Sequence, residues 1–486
     1  MKNGFLKLAR IENAEAFRAH LDELELDLPV DDEILSAAQS SPLARPMQVG
    51  RYRVGNRWCI HPMEGWDANR DGSPSDYTLR RWRNFGLSGA KLIWGGEAAA
   101  VCANGRANPN QTLAVPENKA GLAQLLTTLV SAHQESFGQT DDLVVGLQLT
   151  HSGRFSHPEQ KNKAEPCIAY HHPLLDQKFH IDPNTDHHVI SDDDVRRLID
   201  RYIVAARVAR DVGYQFVDVK ACHGYLVHEF LSAHVRPGPY GGGFDGRTQL
   251  LREIIGRIRD EIPDLTVVVR LSVFDVVPYQ TSRQTGQPME YRRELPYRYG
   301  FGVDPSDPLS MDLTEAIELI RILRDMQVAA ISVSCGSPYY CPHVQRPAAF
   351  PPSDGYLPPE DPLVAVARQI QAARTCKQAV PDMPMIGSGY SYLQNFLPHI
   401  AQAVVRQGWI DSVGLGRMVL SYPELPADTL SGKPAQRKRI CRTFSDCTTA
   451  PRNGMISGCF PLDPYYKSLI EAEQLRAVKQ AQRNKN

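Results

Sequence analysis

Short apolar runs recur through residues 51–422, and most are followed by a stretch with the apolar spacing of an amphipathic helix. Eight stand out, near 58–63, 90–97, 143–149, 215–220, 265–271, 328–335, 383–387 and 410–415. Several are continuous rather than alternating, as expected of strands buried on both faces. The clearest helix lies between the third and fourth runs. Ser191 is placed to cap it, Asp192 to Asp194 favour its positive end, and Val195, Leu198, Ile199, Tyr202 and Ile203 share one face. The predicted class is α/β: a (β/α)8 TIM barrel with its chemistry at the carboxyl ends of the strands. A doubly wound open sheet has the same periodicity, which says nothing about closure; eight units favour the barrel.

Residues 1–50 read as a mostly helical N-terminal extension, residues 51–425 as the barrel and residues 426–486 as a short C-terminal extension ending in an exposed basic helix. Two long segments interrupt the repeat. Residues 150–190 carry His151, His157, His171 and His172, and a polar insert spans about 273–311. Loops of this length usually cover a site or move. Composition narrows the function classes. A net charge of -1 gives no electrostatic case for nucleic acid or a membrane surface. No stretch approaches the roughly 20 apolar residues of a spanning helix, and residues 1–10 lack the apolar run of a secretory signal. Ten cysteines in 486 residues do not make a disulfide scaffold, so a reduced, cytoplasmic setting is the default.

Residues 215–226, QFVDVKACHGYL, concentrate the candidate chemistry. An apolar strand runs into Lys220, His223 and Tyr225, with Gly224 allowing a sharp turn between them. A cation, an acid/base and a phenol at a strand's carboxyl end suggest a reaction centre.

Six further pieces follow in chain order. They are Asn56-Arg57 with His61-Pro62-Met63-Glu64-Gly65, Leu92-Ile93-Trp94-Gly95-Gly96-Glu97-Ala98, and Gln148-Leu149-Thr150-His151-Ser152-Gly153-Arg154. The catalytic strand continues to Tyr240-Gly241-Gly242, Arg270 ends the fifth strand, and Gly387-Ser388-Gly389 and Gly414-Leu415-Gly416-Arg417 close the series. Together they resemble the old yellow enzyme family of flavin-dependent oxidoreductases, the barrel of its 2,4-dienoyl-CoA reductase-type members in particular. The resemblance implies a bound FMN. Gly387, Gly389 and Gly416 would let backbone amides surround its phosphate, and Arg417 would add a bidentate charge. Arg270 would sit beside the flavin pyrimidine where negative charge accumulates on reduction. Gln148 would hydrogen-bond that edge, and Pro62, Met63 and Ala98 would supply backbone contacts and packing.

The sequence departs from the family in three places. The first carbonyl-holding partner is Lys220 rather than histidine, and its added charge suggests a preference for carboxylate-bearing substrates. Larger relatives carry Cys-x2-Cys-x3-Cys-x11-Cys after the barrel. Here Cys447 and Cys459 keep the last spacing, the first two positions fall on Ile440 and Thr443, and Cys441 is out of register. No iron–sulfur cluster is expected, because a cubane needs four ligands. The loop after Tyr225 is shortened. The irregular histidines of 150–190 lack ligand register, so no metal is expected. Tyr339 and Tyr340, between Cys335 and Cys341, line the substrate pocket or simply pack.

The leading reading is an FMN-dependent oxidoreductase using NAD(P)H to reduce an electrophilic small molecule, an α,β-unsaturated carbonyl in the first instance. Lys220 and His223 would polarise the oxygen and Tyr225 would protonate the α carbon. One alternative is a Schiff-base lyase or aldolase built on Lys220; another is a non-catalytic flavin-binding barrel. The physiological substrate and the choice of NADH or NADPH stay open. A homo-oligomer is compatible with the terminal extensions.

Overall fold

The structure, a computed structural model, describes residues 4–485. Its centre is eight parallel strands: β1 (Trp58–Ile60), β2 (Leu92–Ile93), β3 (Val144–Thr150), β4 (Phe216–Ala221), β5 (Thr266–Ser272), β6 (Ile331–Ser334), β7 (Met385–Gly387) and β8 (Ser412–Leu415). A further strand, Ala98–Ala100, continues β2 along β3. Val413 of β8 pairs with Trp58 of β1, and Leu92 of β2 pairs with Val144 of β3, so the sheet closes on itself. This closure decides for the barrel over the open sheet. Every residue of β3 and β4 is buried, which explains their unbroken apolar pattern.

Helices wrap the barrel: α1 (Asp76–Gly86), α2 (Lys119–Phe137), α3 (Asp192–Val212), α4 (Phe244–Glu261), α5 (Thr314–Asp325), α6 (Pro362–Ala379) and α7 (Leu397–Arg406). The Ser191 hydroxyl caps α3 by accepting from the Asp194 amide at 3.1 Å. Val195, Leu198, Ile199, Tyr202 and Ile203 form its buried face, and Gly213, at φ 105°, ends it. Local chemistry and tertiary burial therefore agree along this helix.

The extensions differ from expectation. Residues 4–50 contain one α-helix, Ala14–Glu23, and short 3-10 turns, and they run into a hairpin, Met47–Val49 against Tyr52–Val54. Met47, Val49 and Val54 pack on Cys59, Leu92, Trp94, Val144, Phe216, Val268 and Ile386 from six of the strands and the turn after β2. The hairpin thus seals the amino-terminal end of the barrel, leaving the carboxyl end for the site. Residues 426–485 fold back against the barrel. Ala450, Met455, Phe460, Tyr466, Ala472 and Leu475 form a second small core, and Asp463 pairs with Arg80 of α1 at 2.9 Å. The last helix, Glu471–Lys485, opens on Glu471 and Glu473 and buries Ala472 and Leu475 in that core. Among the described residues no helix is long and apolar enough to cross a membrane.

Candidate active site

A cavity of about 260 Å³ opens at the carboxyl ends of the strands. Twelve of the residues expected there line it: Pro62, Met63, Ala98, Gln148, Lys220, His223, Tyr225, Arg270, Tyr339, Gly389, Gly416 and Arg417. Two do not. Gly387 lies beneath, its carbonyl 3.3 Å from His61 Nε2. Tyr340 turns away to donate its hydroxyl proton to the buried Asp275.

The β1 loop brings Glu64 to the centre. One carboxylate oxygen accepts from Lys220 Nζ at 2.6 Å. The other accepts from Tyr225 Oη at 2.7 Å and from Trp66 Nε1 at 3.2 Å. The Lys220 ammonium also lies 3.6 Å from the centroid of the Tyr225 ring. With the Tyr225 proton given to Glu64, the Tyr339 hydroxyl is the donor across the 3.1 Å contact between the two phenols. Burial, and then the charge of Glu64, push the Tyr225 phenol far above its ordinary range, so it is a proton donor in its resting state. Phe155 stacks on Tyr339 with ring centroids 4.0 Å apart, fixing that wall.

His223 sits at φ 67° directly before Gly224 at φ 77°. A left-handed non-glycine residue stores strain of order 1 kcal/mol or more, and here it turns the imidazole into the cleft. Ser272 accepts the His223 amide at 3.1 Å, and Ser334 lies 2.7 Å from Nε2. With Gln345 Nε2 donating to that same nitrogen at 3.2 Å, the ring proton is on Nδ1. Burial, followed by the charges of Arg270 and Lys220, drives the imidazole well below its usual pKa, so it is neutral.

Below these groups, Asp218 on β4 is wholly enclosed. It accepts from Trp94 Nε1 at 2.8 Å, Gln148 Nε2 at 2.5 Å and the Arg270 amide at 2.6 Å. Burial pushes its carboxyl up to about 6 against those contacts. Lys220 and Arg270 are register partners on β4 and β5, which places the two cations side by side. From α1, Arg81 bridges Asp67 at 2.5 Å and Glu97 at 2.6 Å, while Glu97 accepts the Gly65 amide at 3.1 Å. This buried network secures the loop carrying Pro62, Met63 and Glu64.

At the other end of the cavity Arg417 donates to the Pro347 carbonyl at 2.7 Å, leaving a buried Nη1 without a partner. Arg346, on the segment after β6, donates to Thr448 and has no carboxylate partner; burial, with the neighbouring charge of Arg417, lowers it to about 10. Arg270 Nε is likewise buried and unpartnered. Space is open at the Cα of Gly416, and Gly389 adopts φ 94°. Unmatched guanidiniums, open backbone and a Gln148 amide fit a ligand with a phosphate at one end and a hydrogen-bonding ring system at the other. FMN has that shape and charge.

Several lining residues escaped the sequence reading. Glu64 stood inside a quoted motif without a role. Arg346, Thr448, Pro451, Arg452 and Ser457 carry no local motif, and only the return of the C-terminal extension brings the last four to the cleft. The histidines of 150–190 have local partners: the Gly153 amide donates to His151, the Leu174 amide to His172, and His171 pairs with Asp176 at 2.6 Å. Among the described residues no group of three or more His, Cys, Asp or Glu side chains is arranged to hold a metal ion.

These features define a barrel with a flavin-type cleft at its carboxyl end. A sequence profile described as the NADH:flavin oxidoreductase / NADH oxidase family matches residues 42–295, and the chain belongs to this old yellow enzyme family of flavin-dependent oxidoreductases. An NADH:flavin oxidoreductase of Gibberella zeae is 24% identical over 400 residues, covering 79% of this chain and 84% of the relative. An NADPH dehydrogenase of Geobacillus sp. is 28% identical over 247 residues, covering 49% of this chain and 64% of the relative. Among solved structures, 2-naphthoyl-CoA reductase superposes with a TM-score of 0.64 at 19% identity, over 87% of this chain and 57% of that one. Morphinone reductase gives 0.55 at 19% identity, over 81% and 90%. At these identities the structures attest to the fold.

Proposed function

We propose that the protein binds FMN in the barrel of residues 51–425, with residues 426–486 completing the cleft, and uses NAD(P)H to reduce an electrophilic alkene conjugated to a carbonyl. The observation that carries this reading is the convergence of Tyr225, Lys220 and His223 at one end of a cleft whose other end holds half-buried Arg417, with its Nη1 buried and, among the described residues, no counter-ion. Bound there, FMN supplies hydride chemistry, carrying two electrons from a reduced nicotinamide to the substrate. Gly389, Gly416 and Arg417 would receive the phosphate, Gln148 and Arg270 the pyrimidine edge, and Pro62, Met63 and Ala98 the ring. Lys220 and His223 hold the substrate oxygen, His223 through its Nδ1 proton. Tyr225 delivers a proton to the α carbon, and Tyr339 donates to the phenolate left behind.

The 2.6 Å contact to Glu64 counts against the Schiff-base alternative, because the Lys220 nitrogen is held by a carboxylate and is not free to act as a nucleophile. The test is the visible spectrum of the purified protein, followed by NADH or NADPH without oxygen. A flavin band that bleaches, and returns on adding an enone, is the expected result. In Tyr225→Phe bleaching should persist, while reoxidation by the enone slows about 100-fold or more. A colourless protein that FMN does not reconstitute would overturn the proposal.

A further inference from the structure

Six charged side chains line the cleft, and Glu64 is the only carboxylate among them. Arg346 and Arg417 lie at the phosphate end, Arg270 beside Gln148, and Arg452 is met by Asp354. Lys220 is the cation at the reacting end, and Glu64 meets it at 2.6 Å. The Lys220 side chain is only 5% exposed and that of Glu64 only 12%, so solvent screens the pair weakly. Left alone, this ammonium would attract any small anion entering the cleft. Paired, it contributes no net charge, and a substrate carboxylate brought to Lys220 would lie against Glu64 as a like charge.

A purely structural role for Glu64 is already filled by its neighbours. The loop is tied to the protein one residue on, by the Gly65 amide to Glu97, and three residues on, by Asp67 to Arg81. Neither anchor involves the Glu64 side chain, whose hydrogen bonds go to Lys220, Tyr225 and Trp66, all lining the cleft.

We propose that Glu64 determines specificity by neutralising Lys220, so that the cleft rejects carboxylate-bearing ligands and accepts those whose polar group is an uncharged carbonyl. This reverses the preference that Lys220 alone suggests in the sequence. It rests on the assignment of Lys220, His223 and Tyr225 as the reacting end, and it is independent of which cofactor is bound.

The test is calorimetric titration of the holoprotein with benzoate and its neutral isostere benzamide, read as the ratio of the two affinities. The wild type should favour benzamide at least tenfold. In Glu64→Gln the ratio should fall tenfold or more, because the freed ammonium now attracts the carboxylate. Adding Lys220→Met to Glu64→Gln should abolish that fall. Lys220→Met alone, which strands the Glu64 carboxylate, should raise the ratio, and it carries the test should Glu64→Gln fail to fold. A wild type that favours benzoate, or a ratio that no folded variant moves, would overturn the proposal. The visible spectrum of the same samples separates the two readings. A colourless protein showing the predicted shifts sinks the flavin assignment and leaves the ion pair standing, and a flavin-bearing protein without them does the converse.

Discussion

A guanidinium half-buried in a cleft is stabilised where something answers its charge. Arg452 has Asp354 for that purpose, whereas among the described residues Arg346 and Arg417 meet no carboxylate and donate to Thr448 and the Pro347 carbonyl. A phosphate dianion between the latter two would restore the balance. Charge-assisted hydrogen bonds are worth about 1.5–3 kcal/mol each, roughly ten- to a hundredfold in affinity. Arg417→Ala and Arg346→Ala should each weaken FMN binding at least tenfold while leaving riboflavin, which lacks the phosphate, within about threefold. Arg452→Ala should change neither ligand by more than that. Fluorescence-quenching titrations would decide, and equal losses for FMN and riboflavin would place the phosphate elsewhere. Arg417 was legible in the sequence because it closes a Gly-Leu-Gly-Arg motif on a strand end. Arg346 was not, because its partner Thr448 is 102 residues away and nothing local marks either. Glu64 was legible as a residue and not as a partner, since its meeting with Lys220 spans 156 positions.

The β1 loop and α1 act as one unit through Arg81. Its guanidinium holds two carboxylates, Asp67 and Glu97, all three side chains being almost fully buried. Burial and the nearby Asp67 charge push Glu97 up to about 7 even though Arg81 opposes them. Removing the cation strands two negative charges, and breaking such a pair typically costs about 3–5 kcal/mol. Arg81→Met should therefore lower the unfolding free energy read from denaturant titration by an amount in that range and loosen the loop bearing Pro62 to Glu64. Hydrogen exchange of the Gly65 amide, protected now by Glu97, would report the loosening directly; unchanged protection would show that the loop is held by other contacts. At this scale the sequence was most readable where local signals and burial coincide, as in α3 with its serine cap and in the continuous apolar strands. It was least readable in the hairpin at 47–54, whose strands are three residues each and show no usable period. The C-terminal extension was misread for a related reason. Its apolar positions are spread over several short helices, and the core they make is visible only once they fold together.

For the whole molecule, acid stability is decided by which buried groups must change charge. Burial holds eight histidines below their usual pKa: His61, His133, His151, His172, His223, His228, His234 and His343. His151 is brought to about 4 and His228 to about 3. In the unfolded chain each takes up a proton near pH 6.5, whereas the native protein resists until lower pH. The unfolded state then binds more protons, so these groups withdraw stability as pH falls through 6.5. Five carboxyls work in the opposite sense. Glu97, Asp218, Glu229, Asp275 and Asp361 are raised by burial, Asp218 and Asp275 to about 6 and Glu97 to about 7. They bind protons in the native state first and add stability as pH falls from about 7 towards 4. The histidines outnumber them, and by pH 5 each has passed about 1.5 units below its unfolded pKa, whereas Asp218 and Asp275 have passed only about one below their folded values. The unfolding temperature should therefore fall between pH 7 and pH 5, and His228→Asn, removing one buried imidazole from the balance, should make that fall shallower. A temperature that rises over the same interval would mean that the carboxyls dominate. Saturating FMN, which binds the folded state, should raise the unfolding temperature at every pH in this range.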